Sequence, residues 1–329
     1  MLSDKNVKLE DVAKLAGVSK TTVSRVLNHR GYLSQKTIDK VHEAIDNLNY
    51  RPNQIARQLH ERKTNLVGLV FPTMNDPFFS QLETKLDSQL YKLGYKTLLG
   101  NSQNDPDREQ NYLQQLLNHQ IDGLIVGSHN KGLTEYNNLN LPIISIERHI
   151  ADHIPVVASD NYLGGKLATQ QLIDDGCKHI IHTNYPELIA STNQLRQNAY
   201  VDVMHKNNLP VTIYHIDFDS SLEDKISIIH QLFIEHPEVD GIFADNDTNA
   251  NLIMQTAKKL GYKIPEDLKI VGFDGSKMVQ MFLPELTTIQ QSIDQMAEVA
   301  VELLEQRIEG NTEVKSVTLP VKLIKGSTA

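Results

Sequence analysis

Apolar positions along the chain follow two periods, and the pattern changes near residue 64. Before it, only the helical period occurs. Val12, Ala13, Leu15 and Ala16 recur at the spacing of one helix face. Glu10 and Asp11 stand at the start of that run, where the helix dipole favours negative charge. Gly17 can enter the left-handed region that ends a helix, and Ser19 is a good N-cap for the next one. Val23, Val26 and Leu27 mark the inner side of a second helix. Two helices joined through Gly17-Val18-Ser19 have helix-turn-helix spacing. A third helix is predicted over Ser34–Leu48, with Ile38, Val41, Ala44, Ile45 and Leu48 as its buried stripe. Proline ends it at Tyr50-Arg51-Pro52-Asn53 and can open another helix. That next stretch, Asn53–Arg62, is short, basic and only modestly apolar, hence marginal as an isolated helix.

From Leu66 onward, short apolar runs alternate with amphipathic ones. The runs Leu66–Phe71, Lys96–Leu99, Gly123–Val126, Ile143–Ile146, Val156–Ser159, His179–Thr183, Val211–Ile216, Gly241–Ala244 and Lys269–Phe273 predict strands. Helices are predicted over Pro77–Leu93, Asp107–Asn118, Asn161–Asp175, Asn193–Asn207, Glu223–His236, Asp247–Leu260 and Ser292–Glu309. Strand–helix alternation implies parallel sheets, and two such sheets fit better than one. The expected fold class is a small all-α helix-turn-helix domain followed by an α/β two-lobed domain with two parallel sheets.

Length agrees, since 329 residues exceed one small core and suit a large unit plus a small module. Charge sharpens the division. Residues 1–62 carry eleven Lys and Arg against seven Asp and Glu, a balance of +4, while the remainder carries 21 against 34, or −13. A basic head on an acidic body points to an anionic partner for the head alone. No run of about 18 apolar residues occurs, so no membrane span is expected. Met1–Lys8 has no apolar signal-peptide core, and a lone cysteine, Cys177, fits a reducing compartment; a cytoplasmic location is expected.

The second helix has a contiguous polar face of Lys20, Thr21, Ser24, Arg25 and Asn28. In a major groove its N-terminal end would bring Lys20 and Thr21 near base edges, and Arg25 has the fork for a guanine. Ser19, Thr22 and Asn28 are better suited to phosphates. In the body, polar side chains cluster just past the predicted strand ends, where open parallel sheets hold ligands. They are Thr73–Asp76 with Phe78 and Phe79, Asn101-Ser102, Glu147-Arg148, Asp160-Asn161, Asp245-Asn246-Asp247 and Asp274-Gly275. Carboxylates, amides and an arginine beside aromatic rings suit a polyol. The same residues are ordinary turn and cap formers, and Asn161 and Asp247 read equally as caps.

Other chemistries find no support. No GxGxxG or GxxxxGK[ST] loop follows a strand, the thirteen histidines form no HExxH and no zinc spacing, and there is no GxSxG elbow. No catalytic residue, metal site or cofactor is predicted.

The runs DVAKLAGVSKTTVSRVLN and LNYRPNQIARQL resemble the lactose/galactose repressor (LacI) family of transcription regulators, and the likeness extends from near residue 8 almost to the C-terminus. It implies a domain order of 1–52 for the helix-turn-helix, 53–63 for a hinge helix and linker, and 64–329 for effector binding and dimerisation. The first lobe would take about 64–160 and 293–320, the second about 161–292 and 321–329, with three crossovers; Leu283–Gln291 resembles the third. The resemblance assigns base reading to Lys20, Thr21 and Arg25, with Lys8, Tyr50 and Asn53 among the other DNA contacts. It makes Asn53–Leu59 a hinge helix in which Ala56 meets its partner and Leu59 wedges into the minor groove. Effector contacts would fall on Asp76, Phe78, Asp160, Arg196, Asn246, Asp247, Asp274 and Gln291. Lys8 replaces the family's usual threonine, and Asp76-Pro77-Phe78 its usual Asn-Pro-Phe. No apolar heptads follow the last long helix, so a homodimer rather than a tetramer is expected. The partners implied are operator DNA and a small-molecule effector, a sugar. HRGYLSQKT, LPIIS and SDNYLGGKLAT are most similar to the family's sucrose-responsive branch. Catabolite-control branches with a phosphoprotein corepressor, and purine-type branches in which the ligand is a corepressor, are the alternatives.

Overall fold

The computed structural model describes residues 7–28, 31–51, 63–103, 105–127, 130, 132–185 and 192–329. The chain divides into two compact units, Met1–Lys63 and Thr64–Ala329. The expected hinge residues Asn53, Ala56 and Leu59 lie outside the described residues.

In the first unit, α1 (Leu9–Ala16), α2 (Lys20–Leu27) and α3 (Gln35–Asn47) enclose a small core. Val12, Ala13 and Ala16 meet Val23, Val26, Val41, Ala44 and Tyr50 there. Gly17 takes φ 68°, and the next N–H, of Val18, closes on the Ala13 carbonyl at 3.0 Å. Ser19 Oγ then accepts from the Thr22 N–H at 3.1 Å and starts α2. Ser34 caps α3 in the same way. Leu15, read above with the apolar stripe, is 53% exposed. At 100° per residue it lies about 60° outside the arc from Val12 to Ala13, and this three-helix core is too narrow to reach it.

The second unit is built on two six-stranded sheets. The first lobe contains β1 (Leu66–Phe71), β2 (Lys96–Asn101), β3 (Gly123–Val126), β4 (Ile143–Ile146), β5 (Val156–Ser159) and β11 (Val317–Leu319). Its order is β11-β5-β4-β3-β1-β2, all parallel. Helices α4 (Pro77–Lys92) and α11 (Ile293–Ile308) cover one face and α5 (Pro106–Leu117) the other. The second lobe contains β6 (Ile180–Asn184), β7 (Thr212–His215), β8 (Gly241–Phe243), β9 (Lys269–Asp274), β10 (Thr287–Gln291) and β12 (Val321–Ile324). Its order is β12-β10-β9-β8-β6-β7, parallel except for β10 against β12. Helices α6 (Asn161–Asp174) and α7 (Asn193–Lys206) lie on one face, α8 (Leu222–Glu235) and α9 (Asp247–Lys259) on the other. A short helix, α10 (Lys277–Phe282), follows β9.

The chain passes between lobes at Ser159–Asn161, Gln291–Ile293 and Leu319–Val321. The segment ending at Gln291 is therefore the second crossing in chain order, not the third; the third is at Pro320. Sequence reading did not pick out β10, β11 or β12. They are three to five residues long; TTIQQ has a single apolar residue, and Pro320 splits the alternating run VTLPVKLI into two pieces each too short to read as a strand.

One carboxylate anchors the start of this unit. Asp122 accepts from the Thr64 N–H at 2.8 Å, the Thr64 hydroxyl at 2.9 Å and the Asn65 N–H at 2.7 Å. It holds the chain in place as β1 begins. Replacing Asp122 by Ala is expected to lower the stability of this unit by about 2 kcal/mol. Urea unfolding followed by circular dichroism measures it, and an unchanged midpoint would contradict the anchoring role.

Candidate ligand cleft and nucleic-acid interface

On α2, Lys20, Thr21 and Arg25 are exposed, while Thr22, Ser24 and Asn28 are half-buried. Thr22 is tied to Ser19 through both its N–H and its hydroxyl, the latter at 2.9 Å. Asn28 Nδ2 donates to Ser24 Oγ at 3.3 Å. Arg25 Nη2 reaches the Tyr32 carbonyl at 3.4 Å. Gly31 at φ 72° makes room for it, because a Cβ there would collide with the guanidinium. Lys8 sits at the N-cap of α1, its side chain offering no cap oxygen. Asp11 takes over, accepting the Lys8 N–H at 2.9 Å. Tyr50 is 9% exposed and belongs to the core of the unit. Lys20 Nζ donates to the carboxylate of Glu10 on α1, a pairing that the polar face of α2 alone does not reveal.

In the body, the carboxyl ends of both sheets meet at one cleft. An inner cavity of about 50 Å³ is lined by Asp76, Phe78, Glu147, Arg196, Asn246, Asp274 and Gln291, among others. A wider mouth of about 460 Å³ adds Thr73, Gln103, Asp219, Lys225 and Thr248. The structure thus brings six of the eight expected effector residues together. Asp160 and Asp247 do not line either space. Asp160 caps α6 by accepting the Leu163 N–H at 2.9 Å. Asp247 is 2% exposed and accepts from the Gly275 N–H at 2.8 Å and the Thr288 hydroxyl at 2.5 Å. The cap of α9 is Asn246, one residue earlier, with its Oδ1 at 2.7 Å from the Asn249 N–H.

Arg196 organises the floor. It is 4% exposed, with Nε donating to Asn161 Oδ1 at 2.6 Å and Nη1 to the Asp245 carbonyl at 2.7 Å. Its guanidinium carbon lies 3.5 Å from the centre of the Phe273 ring. Asn161 in turn donates to Glu147 Oε2 at 2.7 Å, and the Thr192 hydroxyl bonds the same carboxylate. These bonds tie Glu147 in the first lobe to the second. Arg148 turns the other way, to a buried ion pair with Glu109 at 3.3 Å. Gln291 donates to Asp274 Oδ1 at 2.7 Å and accepts from Ser159 Oγ at 2.6 Å. Asp274 has φ 111° and Glu147 φ 52°, so two cleft carboxylates sit on backbone that non-glycine residues seldom adopt.

Each lobe contributes an aromatic pair. Phe78 and Phe79 meet edge-on with centroids 5.1 Å apart, and Tyr185 and Phe218 do so at 5.7 Å. Such rings pack on the C–H faces of a sugar while amides and carboxylates take its hydroxyls. Tyr185 directly follows β6, in the Asn184-Tyr185 stretch that stands where the family usually has a glycine-rich turn beside the cleft. Asn193, Phe218 and Lys225 were missed from the sequence; Phe218 lies just past β7, a strand end like those that supplied the other candidates.

Burial raises the carboxyls of Asp76, Asp245 and Asp274 above the ordinary range, and Asp76 adds repulsion at Asp274. Asp247 is pushed up to about 7 by burial, against the hydrogen bonds from Thr288 and Gly275.

A helical unit with an exposed polar recognition helix, followed by a two-lobed unit with a polar, aromatic-lined cleft, defines a DNA-binding regulator with its own small-ligand sensor. Residues 8–53 match the lacI family of bacterial regulatory proteins, and residues 64–327 match the periplasmic binding proteins and sugar-binding domain of that family. The chain belongs to the LacI family. It is 41% identical to the sucrose operon repressor of Streptococcus mutans over 321 residues, covering 98% of this chain and 99% of that one. It is 42% identical to that of Pediococcus pentosaceus over 325 residues, with the same coverage. The lac repressor dimer bound to operator and an anti-inducer superposes with a TM-score of 0.83 at 26% identity, covering 98% of this chain and 99% of that one.

The raised Asp247 carboxyl fixes a pH dependence. Below about pH 4 the folded and unfolded chains both hold its proton; between there and about 7 only the folded chain does. Stability is therefore expected to fall as pH rises through that window. Asp247→Asn should flatten this part of the profile, read as thermal midpoint against pH; an identical slope in both proteins would contradict it.

Proposed function

We propose that this protein represses a sucrose-utilisation operon and leaves its operator when sucrose or a closely related sugar occupies the cleft. The observation that carries this reading is similarity over nearly the whole chain to two sucrose operon repressors at 41% and 42% identity. The cleft supports it, with carboxylates, amides and two aromatic pairs at one place.

Lys20, Thr21 and Arg25 read bases, while Lys8, Ser19, Thr22, Ser24 and Asn28 hold phosphates. Asp76, Phe78, Asn246, Asp274 and Gln291 grip the sugar, and Arg196 fixes the floor they stand on. The protein works as a homodimer. An apolar face on α10, with Met278 50%, Met281 67% and Phe282 69% exposed, suits burial against a second copy. The inner cavity of about 50 Å³ opens into a mouth of about 460 Å³, which is within the range of ligand pockets. Sugar held there by both lobes favours one spacing of the lobes over another, and operator affinity falls through that shift in population.

Titration of the full-length protein on operator DNA at fixed salt, with sucrose, fructose, glucose and their phosphates, tests the reading; salt is fixed because phosphate contacts dominate affinity. Sucrose or a close relative is expected to release the DNA. Release by a nucleobase alone, or by no sugar, would refute it. Asp274→Asn should raise the sugar concentration needed roughly tenfold without changing operator affinity in its absence. Leu59→Ala should weaken specific operator binding far more than nonspecific binding; an equal loss in both would remove the wedge.

A further inference from the structure

Lys20 begins the recognition helix, and Glu10 comes from α1 ten residues earlier. Their charged ends meet although both are well exposed, with 59% and 56% of each side chain open to solvent. Lys20 is therefore not an isolated cation presented to DNA. It arrives with a carboxylate attached, and Lys20 holds that carboxyl below its ordinary range.

A carboxylate beside the N-terminal end of a recognition helix faces a surface of phosphates. If Lys20 left it for a base, Glu10 would stay behind as an uncompensated anion against the duplex, and binding would suffer. Two arrangements avoid that. In one, the ion pair persists and Lys20 reads nothing. In the other, both side chains engage one base pair, the cation on an acceptor edge and the anion on a donor edge. A G·C pair suits this best: guanine presents two adjacent acceptors, N7 and O6, to a lysine, and its partner cytosine presents the N4 amino group, which accepts nothing and suits a carboxylate. Thr21, next to Lys20, has a hydroxyl that both donates and accepts and does not alter this requirement.

We infer that Glu10 is a specificity-determining residue, and that Glu10 and Lys20 together read a single G·C pair in each operator half-site, Lys20 on the guanine and Glu10 on the cytosine N4. This rests on the proposed base-reading role of Lys20. In the free protein the same two groups neutralise one another, so the site is held together before DNA arrives. The lysine's preference for two adjacent acceptors is what disfavours an A·T pair. Adenine's N6 amino group also donates, but its thymine partner brings a methyl group and a single acceptor in place of the guanine edge.

The test is selection from a randomised duplex library by full-length wild type, Glu10→Gln and Lys20→Ala, at one salt concentration, with thermal midpoints to verify folding. The wild type is expected to enrich one G·C pair per half-site. Glu10→Gln should lose discrimination at that pair, about tenfold, and leave the other positions unchanged; Lys20→Ala should lose it at the same pair. If Glu10→Gln keeps every base preference and alters only total affinity or its salt dependence, the proposal is overturned while base reading by Lys20 stands. If Lys20→Ala also keeps every preference, the reading on which the proposal rests falls with it.

Discussion

The cleft depends on keeping a cation in place where water is nearly absent. Arg196 is 4% exposed, and a guanidinium so placed is tolerable only if its donors and its face are occupied. Asn161, the Asp245 carbonyl and the Phe273 ring supply that. Each belongs to a different part of the second lobe: the start of α6, the end of β8 and the end of β9. A hydrogen bond to a charged group is worth about 1.5–3 kcal/mol, so those three segments are held relative to one another. Gly165 belongs to the same arrangement, because a Cβ there would run into the backbone of Arg196. The close approach of α6 and α7 that carries the arginine into the cleft requires that glycine.

The same scarcity of water acts against negative charge in the cleft. Asp76, Asp245 and Asp274 are all raised by burial, and Asp274 is further raised by Asp76 while Arg196 opposes the shift. A neutral polyol can donate hydroxyls to these groups without adding charge. Among the described residues, hydrogen bonds that span the lobes include Glu147 with Asn161 and Thr192, Ser159 with Gln291 at 2.6 Å, Asp76 with Thr248 at 3.3 Å, and Lys277 with Gln81 at 2.8 Å and Asp294 at 2.6 Å. Polar bonds at a wet boundary exchange for water at small net cost. Two rigid cores joined by such bonds and by three chain crossings can change their spacing without disturbing either core, as a ligand-driven shift requires.

Much of this was legible in the sequence for identifiable reasons. The helix-turn-helix declared itself because Gly17 and Ser19 are local signals, a left-handed residue and a cap, and both act as such. Asp76 could be placed because a strand end followed by a proline-led helix puts the capping residue at the sheet edge. Its Oδ1 accepts the Phe78 N–H at 2.9 Å while Oδ2 meets Thr248, so capping and lining the cleft are one placement rather than rival explanations. The contrast between Asn246 and Asp247 was beyond the sequence. A one-residue difference decides which side chain caps α9 and which turns back toward Gly275 and Thr288. Nor could spacing show the meeting of Glu10 with Lys20, or of Phe218 with the first lobe's core, since each joins segments that only the fold brings together.

The central claim is that sugar in the cleft and operator on the first unit are linked through one protein. Linkage is reciprocal: the factor by which one ligand changes the affinity of the other is the same in both directions. Calorimetric titration of sucrose into the full-length protein, free and saturated with operator, measures it directly. The account predicts weaker sugar binding to the operator complex, by the same factor by which sucrose weakens operator binding. Equal sugar affinity in the two titrations, or tighter binding to the complex, would contradict it.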